Sequence, residues 1–213
     1  MTNKNFARLV GHVFGDGYLH KNKKYFIYTN SNKHLHKLVQ KLVQKEFGNV
    51  KFNEGTSIAG VKRIQYANKV GKKLSELGAP VGSKVLQEIE IPIWILNGSE
   101  EVKSQFLGAL YDDEGYFRFD RKARQIVFKC AKEIKLKNNL VRYLSQIKLL
   151  LKDFEIESSE IKRDQIKKRV DGKEMVSLRF WITKNENFQK FKNKISIFHP
   201  NKISSLDKMI SAG

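Results

Sequence analysis

Apolar and polar positions along this 213-residue chain form one pattern that is written twice. An apolar stretch from Leu9 to Gly17 reads as the body of a helix whose start Asn3 or Asn5 can cap. Residues 18–30 then show strand character on either side of the basic turn 20–24, which predicts a β-hairpin. Leu35, Leu38, Val39, Leu42, Val43 and Phe47 recur at helical spacing until Gly48, giving an amphipathic helix with a basic outer face. Residues 50–58 and 61–68 predict a second hairpin around Ala59-Gly60, and Val70, Leu74 and Leu77 a short helix closed by Gly78 and Pro80. The predicted order is helix, two strands, helix, two strands, helix.

From Ser99 the order returns. Ser99 is placed to cap a helix with Glu100 and Glu101 in its positive first turn. Residues 116–130 read as a hairpin turning at Arg121-Lys122, and Leu136, Leu140, Leu144, Ile147, Leu151 and Phe154 as a long amphipathic helix. Residues 155–170 and 173–183 pair around Asp171-Gly172, a dipeptide favoured in tight hairpins. Phe188, Phe191, Ile195 and Phe198 predict the closing helix, and residues 200–213 read as a tail. The repeated order implies an internal duplication: a first repeat over 1–80, a linker over 81–98 packed along the protein, and a second repeat over 99–213. The expected fold class is α+β, tandem αββαββα repeats with pseudo-two-fold symmetry and two antiparallel four-stranded sheets.

Both repeats open on a related stretch, Leu9-Val10-Gly11-His12-Val13-Phe14-Gly15-Asp16-Gly17 and Leu107-Gly108-Ala109-Leu110-Tyr111-Asp112-Asp113-Glu114-Gly115. Gly11 in one and Gly108-Ala109 in the other would let two helices pack backbone to backbone. The glycine after each final acid suits the left-handed residue that ends a helix. Asp16 and Glu114 are therefore expected side by side at two helix tips. Adjacent carboxylates repel unless they share a proton or bind a cation, and oxygen ligands suit Mg²⁺ or Ca²⁺. The negative ends of two helix dipoles add to that preference.

Composition narrows the use of such a site. Lys+Arg 41 against Asp+Glu 22 gives a net charge of +19 and a pI near 9.9, which calls for a polyanionic partner. Hydrophobic residues at 40% place the chain among globular proteins and not disordered ones. No apolar run approaches the roughly 18 residues that would span a membrane, and no signal-peptide pattern opens the chain. A membrane surface is set aside, and a cytoplasmic location, or an organellar one, is expected. The single Cys130 excludes an internal disulfide framework and the usual cysteine zinc sites. Metal-assisted phosphodiester hydrolysis is the natural use of paired acids in so basic a protein.

Both stretches resemble the LAGLIDADG motif of homing endonucleases. The first copy matches at Leu9, Gly11, Asp16 and Gly17 and departs at Phe14, where the family often has an acid. The second matches at Leu107, Leu110, Asp112 and Gly115, with Ala109 for the usual glycine and Glu114 for the last acid. The acids stand 114 − 16 = 98 positions apart, about one family repeat, and the resemblance covers nearly the whole chain. It implies a monomer whose two sheets form a DNA-binding saddle over the major groove, and a site-specific, intron-encoded endonuclease that makes double-strand cuts in a long target. Magnesium is the implied ion, with Ca²⁺ or Mn²⁺ able to replace it for binding. Asp16 and Glu114 are the implied metal ligands, with Gly15 and Asp113 completing the candidate metal set, while Asp112 is expected to pack or cap near the helix interface. The family also sets basic or amide side chains beside the metals to order the attacking water. Strand position nominates Arg63 and Gln65 in one half, Lys129 and Arg179 in the other, and Asn30 as a further candidate.

Alternation along a strand puts Ile126, Phe128 and Cys130 on one face and Gln125, Val127 and Lys129 on the other, the face turned to DNA. Hairpin residues Lys21, Lys23, Lys24, Tyr25 and Asn30 in the first half, and Arg118, Arg121, Lys122 and Arg124 in the second, would reach bases or phosphates along the groove. Lys162, Arg163, Lys167, Lys168 and Arg169, with Lys173, make the long hairpin a basic cluster. Double-stranded DNA is thus the expected partner. One rival reading is an RNA maturase bound to intron RNA, a role that needs no paired carboxylates. Another is a decayed, non-catalytic DNA-binding protein, against which both retained acids speak. A third is the endonuclease part of an intein, against which the start at Met1 and the lack of a His-Asn ending are weighed.

Overall fold

The structure, a computed structural model, describes residues 3–22, 25–121 and 123–212. Lys23, Lys24 and Lys122, expected at DNA-facing turns, lie outside the described residues. The first repeat runs α1 (Lys4–Phe14), β1 (Gly17–Leu19), β2 (Phe26–Thr29), α2 (Lys33–Phe47), β3 (Phe52–Thr56), β4 (Lys62–Tyr66) and α3 (Asn68–Glu76). A 3-10 turn at Lys84–Leu86 and the short α4 (Ile93–Leu96) follow. The second repeat runs α5 (Glu100–Glu114), β5 (Gly115–Asp120), β6 (Ala123–Glu133), α6 (Lys137–Lys152), β7 (Lys162–Lys168), β8 (Glu174–Ile182), α7 (Asn185–Lys194) and α8 (Pro200–Ser211).

Each repeat forms one antiparallel four-stranded sheet, ordered β1-β2-β4-β3 and β5-β6-β8-β7. The fold is therefore α+β with a duplicated sheet. The registers correspond, since Gly17 faces Tyr28 and Tyr28 faces Ile64, while Gly115 faces Phe128 and Phe128 faces Phe180. In β2, the strand whose mixed polarity hides its faces in the sequence, Phe26 and Tyr28 are buried and Ile27 and Thr29 take the open side. In β6, Ile126 and Phe128 are fully buried while Gln125 and Lys129 are half-buried on the open side.

Local caps start the helices where the chain predicts them. Asn3 Oδ1 accepts from the Asn5 and Phe6 amides at 2.9 Å, and Ser99 Oγ accepts from the Val102 amide. The helices α1 and α5 then cross at the centre of the molecule, where an added Cβ on Gly11 would lie 2.7 Å from both Ala109 Cβ and the Phe106 carbonyl oxygen. Gly108 serves a different contact, turning its bare face to Ser196 beyond α7 and not to α1. Phe14, in place of the family's usual acid, stacks on Tyr143 and meets Phe106 edge-on, so one apolar core passes through both repeats. The intervening segment is stitched along α6: Asn139 exchanges two hydrogen bonds of 3.1 Å with the Ile89 backbone, and Gln146 accepts from the Ile91 amide at 2.9 Å.

Two local expectations are corrected. Residues 200–213 are not a bare tail, because Pro200 opens the first turn of α8, which buries Leu206 and Met209 and packs on α7 and β5. Gly17 and Gly115 are not left-handed caps; Gly115 has φ −68° and ψ 136°, and both open a strand. They are glycines for space, since a Cβ on Gly17 would lie 2.6 Å from the His12 carbonyl oxygen, and one on Gly115 2.6 Å from that of Tyr111. Among the described residues no helix is long and apolar enough to cross a membrane.

Candidate nucleic-acid interface and acidic centre

The crossing of α1 and α5 brings the ends of the two motif stretches together. Asp16 follows the last turn of α1, and Glu114 is the last residue of α5. Asn30, one position past β2, donates from Nδ2 to Asp16 Oδ2 at 2.7 Å. Burial and the nearby Asp113 and Glu114 carboxylates push the Asp16 carboxyl up to about 7, while Lys84 and Asn30 pull the other way. Protein packed around Glu114 raises its carboxyl too, opposed by Lys84, although the residue keeps an exposed edge where water offsets part of that push. Burial and the shared neighbour Asp113 thus raise both acids, and Glu114 adds to the push on Asp16; carboxylates crowded in this way are poised for a cation.

Asp113 occupies a different environment. Its Oδ2 meets His12 Nδ1 at 3.0 Å and accepts from the Asp16 amide at 3.1 Å, and its Oδ1 accepts from the Tyr28 hydroxyl at 2.7 Å. Burial would raise this carboxyl, but His12 and Tyr28 hold it below its ordinary value. The space it fills lies over Gly15, where an added Cβ would sit 2.5 Å from Asp113 Cβ. The two residues that precede the acids in the two motifs therefore face each other, and only one of them can carry a side chain.

Two lysines cap the ends of the motif stretches. Lys84 Nζ donates to the carbonyls of Val13 (2.8 Å), Gly15 and Gly17 (2.9 Å); Lys202 Nζ donates to those of Tyr111 (2.8 Å), Asp112 (2.6 Å) and Asp113 (3.4 Å). Burial lowers both lysines, against the pull of the surrounding acids. The 84–87 turn is itself held by Lys132, whose ammonium bonds the Lys84 and Gln87 carbonyls. A cleft of about 440 Å³ opens beside Glu114, between Phe14, Lys84, Cys130, Lys132 and Tyr143. Register makes Cys130 the counterpart of Asn30, so the second acid has a thiol near it where the first has an amide.

Asp112 is committed to structure. It pairs with Arg8 in a buried ion pair and accepts from the Phe198 and His199 amides at 3.0 and 2.8 Å. The strand residues nominated for water ordering are distributed unevenly. Arg63 stands exposed on the open face opposite Thr29, with Gln65 half-buried two positions on. Lys129 and Arg179 both turn to Asp164, at 2.5 and 3.2 Å, and not to the paired acids. Asn30 is buried against Asp16 and is not free to read a base.

The basic surface is real but divided. Lys21 and Arg121 are exposed at their turns, and Tyr25 is half-buried against His20. Arg118 pairs with Asp120, and Arg124 donates to the Met209 carbonyl at 3.2 Å, which ties it to α8. On β7, Lys162, Gln165 and Lys167 share the open side with Arg179, whereas Arg163 and Lys168 face the side of Leu178 and Val176. Arg169 pairs with Asp171 at the hairpin tip. Lys84, Lys202 and Asp164 had no usable signal in the sequence: the lysines lie 84 − 16 = 68 and 202 − 114 = 88 positions after their acids, unequal intervals that no repeat would reveal.

Such a molecule is a duplicated α+β protein with two acids at the crossing of its central helices, between two sheets with open, partly basic faces. Residues 101–196 match the profile of the LAGLIDADG-like domain. The second repeat therefore carries a LAGLIDADG-like domain. Among curated proteins it is 30% identical over 223 residues to the tRNA-splicing ligase RtcB of Methanocaldococcus jannaschii, covering 92% of this chain and 22% of that protein. It is 28% identical over 209 residues to the replication factor C small subunit of the same organism, covering 90% of this chain and 11% of that one. The chain thus spans less than a quarter of each. In fold it is similar to the homing endonuclease I-DmoI solved with DNA and Ca (TM-score 0.61, 14% identity, 96% of this chain and 97% of that one). It is also similar to full-length DUF199/WhiA from Thermotoga maritima (TM-score 0.59, 12% identity, 98% and 60%).

Proposed function

We propose that this protein is a site-specific endodeoxyribonuclease of the homing type, which cuts both strands of duplex DNA with divalent metal ions, one acid serving each strand. The observation that carries the reading is that Asp16 and Glu114 end the two motif stretches at the α1–α5 crossing, both carboxyls pushed upward by burial and by the nearby Asp113. The donor set fits a hard cation through the two carboxylates, while the Gly15 and Asp113 carbonyls already accept from Lys84 and Lys202. Among the described residues no group of three or more acids, histidines or cysteines is arranged to hold a metal ion, so the remaining ligands would come from phosphate oxygens and water. Bound there, magnesium would lower the pKa of a water and offset charge on the phosphate.

The chain's own groups supply the rest. Asn30 orients the Asp16 carboxylate, Lys84 and Lys202 bring positive charge to the acidic centre, and the buried Asp113 holds the Asp16 backbone from the opposite repeat. The open faces of the two sheets would lie along the groove, with Arg63, Gln65, Lys129, Lys162, Lys167 and Arg179 exposed or half-exposed toward it. The match to fractions of a replication factor, an RNA ligase and an RNA polymerase subunit from one organism supports a module with an activity of its own. That is the expected behaviour of a mobile-element endonuclease, whether its host sequence is an intron or an inserted protein segment. The intron-RNA partner has no observation behind it and is not carried forward.

The fold likeness to DUF199/WhiA keeps a second reading open, a DNA-binding protein without catalysis. A plasmid library of randomised duplex segments incubated with Mg²⁺ separates the two. Linearised members that share a sequence, lost with Asp16→Asn and with Glu114→Gln while binding persists, support the nuclease. Sequence-selective binding with no cutting by the wild type supports the binding protein.

A further inference from the structure

The pairing of β7 with β8 slips between Arg163 and Gln165. Lys162 faces Arg179 and Gln165 faces Ser177, so Asp164 is the extra residue of a β-bulge, a device that re-aims a side chain. Its carboxylate, 15% exposed, is held between Lys129 Nζ at 2.5 Å and Arg179 Nη1 at 3.2 Å. Lys129 and Arg179 are directly opposite each other on the open face. The next residue on that face, Trp181, lies under Lys162 Nζ and the Arg179 guanidinium, at 5.3 and 5.8 Å from its ring centre. The first sheet has no counterpart: its Arg63 faces Thr29 and Gly55, and among the described residues it has no carboxylate partner.

A carboxylate in the middle of a basic surface weakens attraction for phosphate, and phosphate contacts carry no sequence information in any case. It is useful there if it faces a hydrogen-bond donor of the partner. At base edges in the major groove those donors are exocyclic amines, and the acid's natural partner is cytosine N4, as arginine's is guanine O6 and N7. An Arg and an Asp side by side on one face thus present the complement of a C·G pair. We infer that Arg179 and Asp164 together read one C·G base pair in the half of the target covered by the second sheet, Arg179 donating to the guanine and Asp164 accepting from the cytosine amine. Lys129 holds the carboxylate in place from the side. This rests on the DNA-binding reading above.

A purely structural role predicts something else. If Asp164 only clamps Lys129 and Arg179, its loss weakens binding to every sequence alike. If it reads a base, its loss flattens the preference at one position.

The test is selection of the full chain, in Ca²⁺, on a randomised duplex library, followed by competition binding of the selected duplex and its single-base-pair variants. Wild type, Asp164→Asn, Arg179→Lys and a control away from both sheets, Lys192→Gln, are compared, with thermal melts to match their folding. The expected result is a C·G preference at one position that falls about tenfold in Asp164→Asn and in Arg179→Lys and is kept by Lys192→Gln, with the preferences at the other positions unchanged. A uniform loss of affinity with the preference intact overturns the inference and leaves the clamp. Unchanged preference and affinity in both variants overturn it as well. A wild type that enriches no sequence at all removes the DNA-reading function itself, and the inference with it.

Discussion

The buried pair Arg8–Asp112 ties the first motif helix to the second and to the turn after α7. Asp112 accepts from Arg8 and from the Phe198 and His199 amides; Arg8 also donates to the Ser196 carbonyl at 2.7 Å and lies 4.3 Å from the Phe198 ring centre. Both residues are 1% exposed. Burial pulls the guanidinium down and the carboxyl up, each opposed by its partner. Asp112→Asn keeps the shape and one acceptor oxygen but leaves a buried cation uncompensated. Breaking a buried pair in this way costs about 3–5 kcal/mol. At roughly 2–4 °C per kcal/mol for a chain of this size, the midpoint should fall by about 6–20 °C. Urea and thermal unfolding of wild type, Asp112→Asn, Arg8→Met and the double variant Arg8→Met/Asp112→Leu form the cycle. The double variant is expected to recover much of the loss, because replacing both charges by apolar groups removes the desolvation penalty with the attraction. A cost below about 1 kcal/mol for Asp112→Asn, or a double variant as unstable as the two single losses summed, would refute the account.

Three further outcomes are expected. Gly11→Ala should destabilise by about 1–3 kcal/mol, read from the denaturation midpoint, because its Cβ would meet backbone at Phe106 as well as Ala109. In metal-free protein the folded Asp16 carboxyl, at about 7, lies above the model-compound 3.8 of an unfolded chain, so the folded state binds the extra proton. Its contribution to stability is present below pH 3.8 and is lost as pH rises through about 7; Asp16→Asn should therefore be relatively more stable at pH 8 than at pH 4, by no more than about 4 kcal/mol. Equal urea midpoint shifts at the two pH values would count against it. Lys84→Met strands three carbonyls at the end of the first motif and should cost about 1–3 kcal/mol in urea unfolding, with Mg²⁺-dependent cutting reduced more than DNA binding measured by gel shift.

Much of this fold is written locally. Periodicity at Leu35 to Phe47 and at Leu136 to Phe154, the caps Asn3 and Ser99, and the turn glycines Gly60 and Gly172 act within a few residues of themselves, so hairpins and helices could be read in order. The repeat added the pairing of Asp16 with Glu114. Local patterns misled where spacing has two explanations: a glycine after an acid reads as a left-handed cap, but Gly17 and Gly115 exist for close packing in strand conformation. Residues 200–211 read as a tail, although Pro200 in a first turn and Ile203, Leu206, Met209 and Ile210 at helical spacing mark a helix; that it is buried at all depends on the α7 and β5 surfaces it meets.

By itself the sequence determined the duplicated order of elements, the strong positive charge and the two acids that end the motif stretches. Only the tertiary structure decided what surrounds those acids. The Asp113 carboxylate reaches His12 across 101 positions, Lys84 and Lys202 return to carbonyls 69 and 91 positions away, and Asp164 sits at a bulge where it holds two cations from the adjoining strands. None of these has a period or a spacing rule, because each depends on where a packed core brings distant backbone and on which buried polar groups must then find a partner.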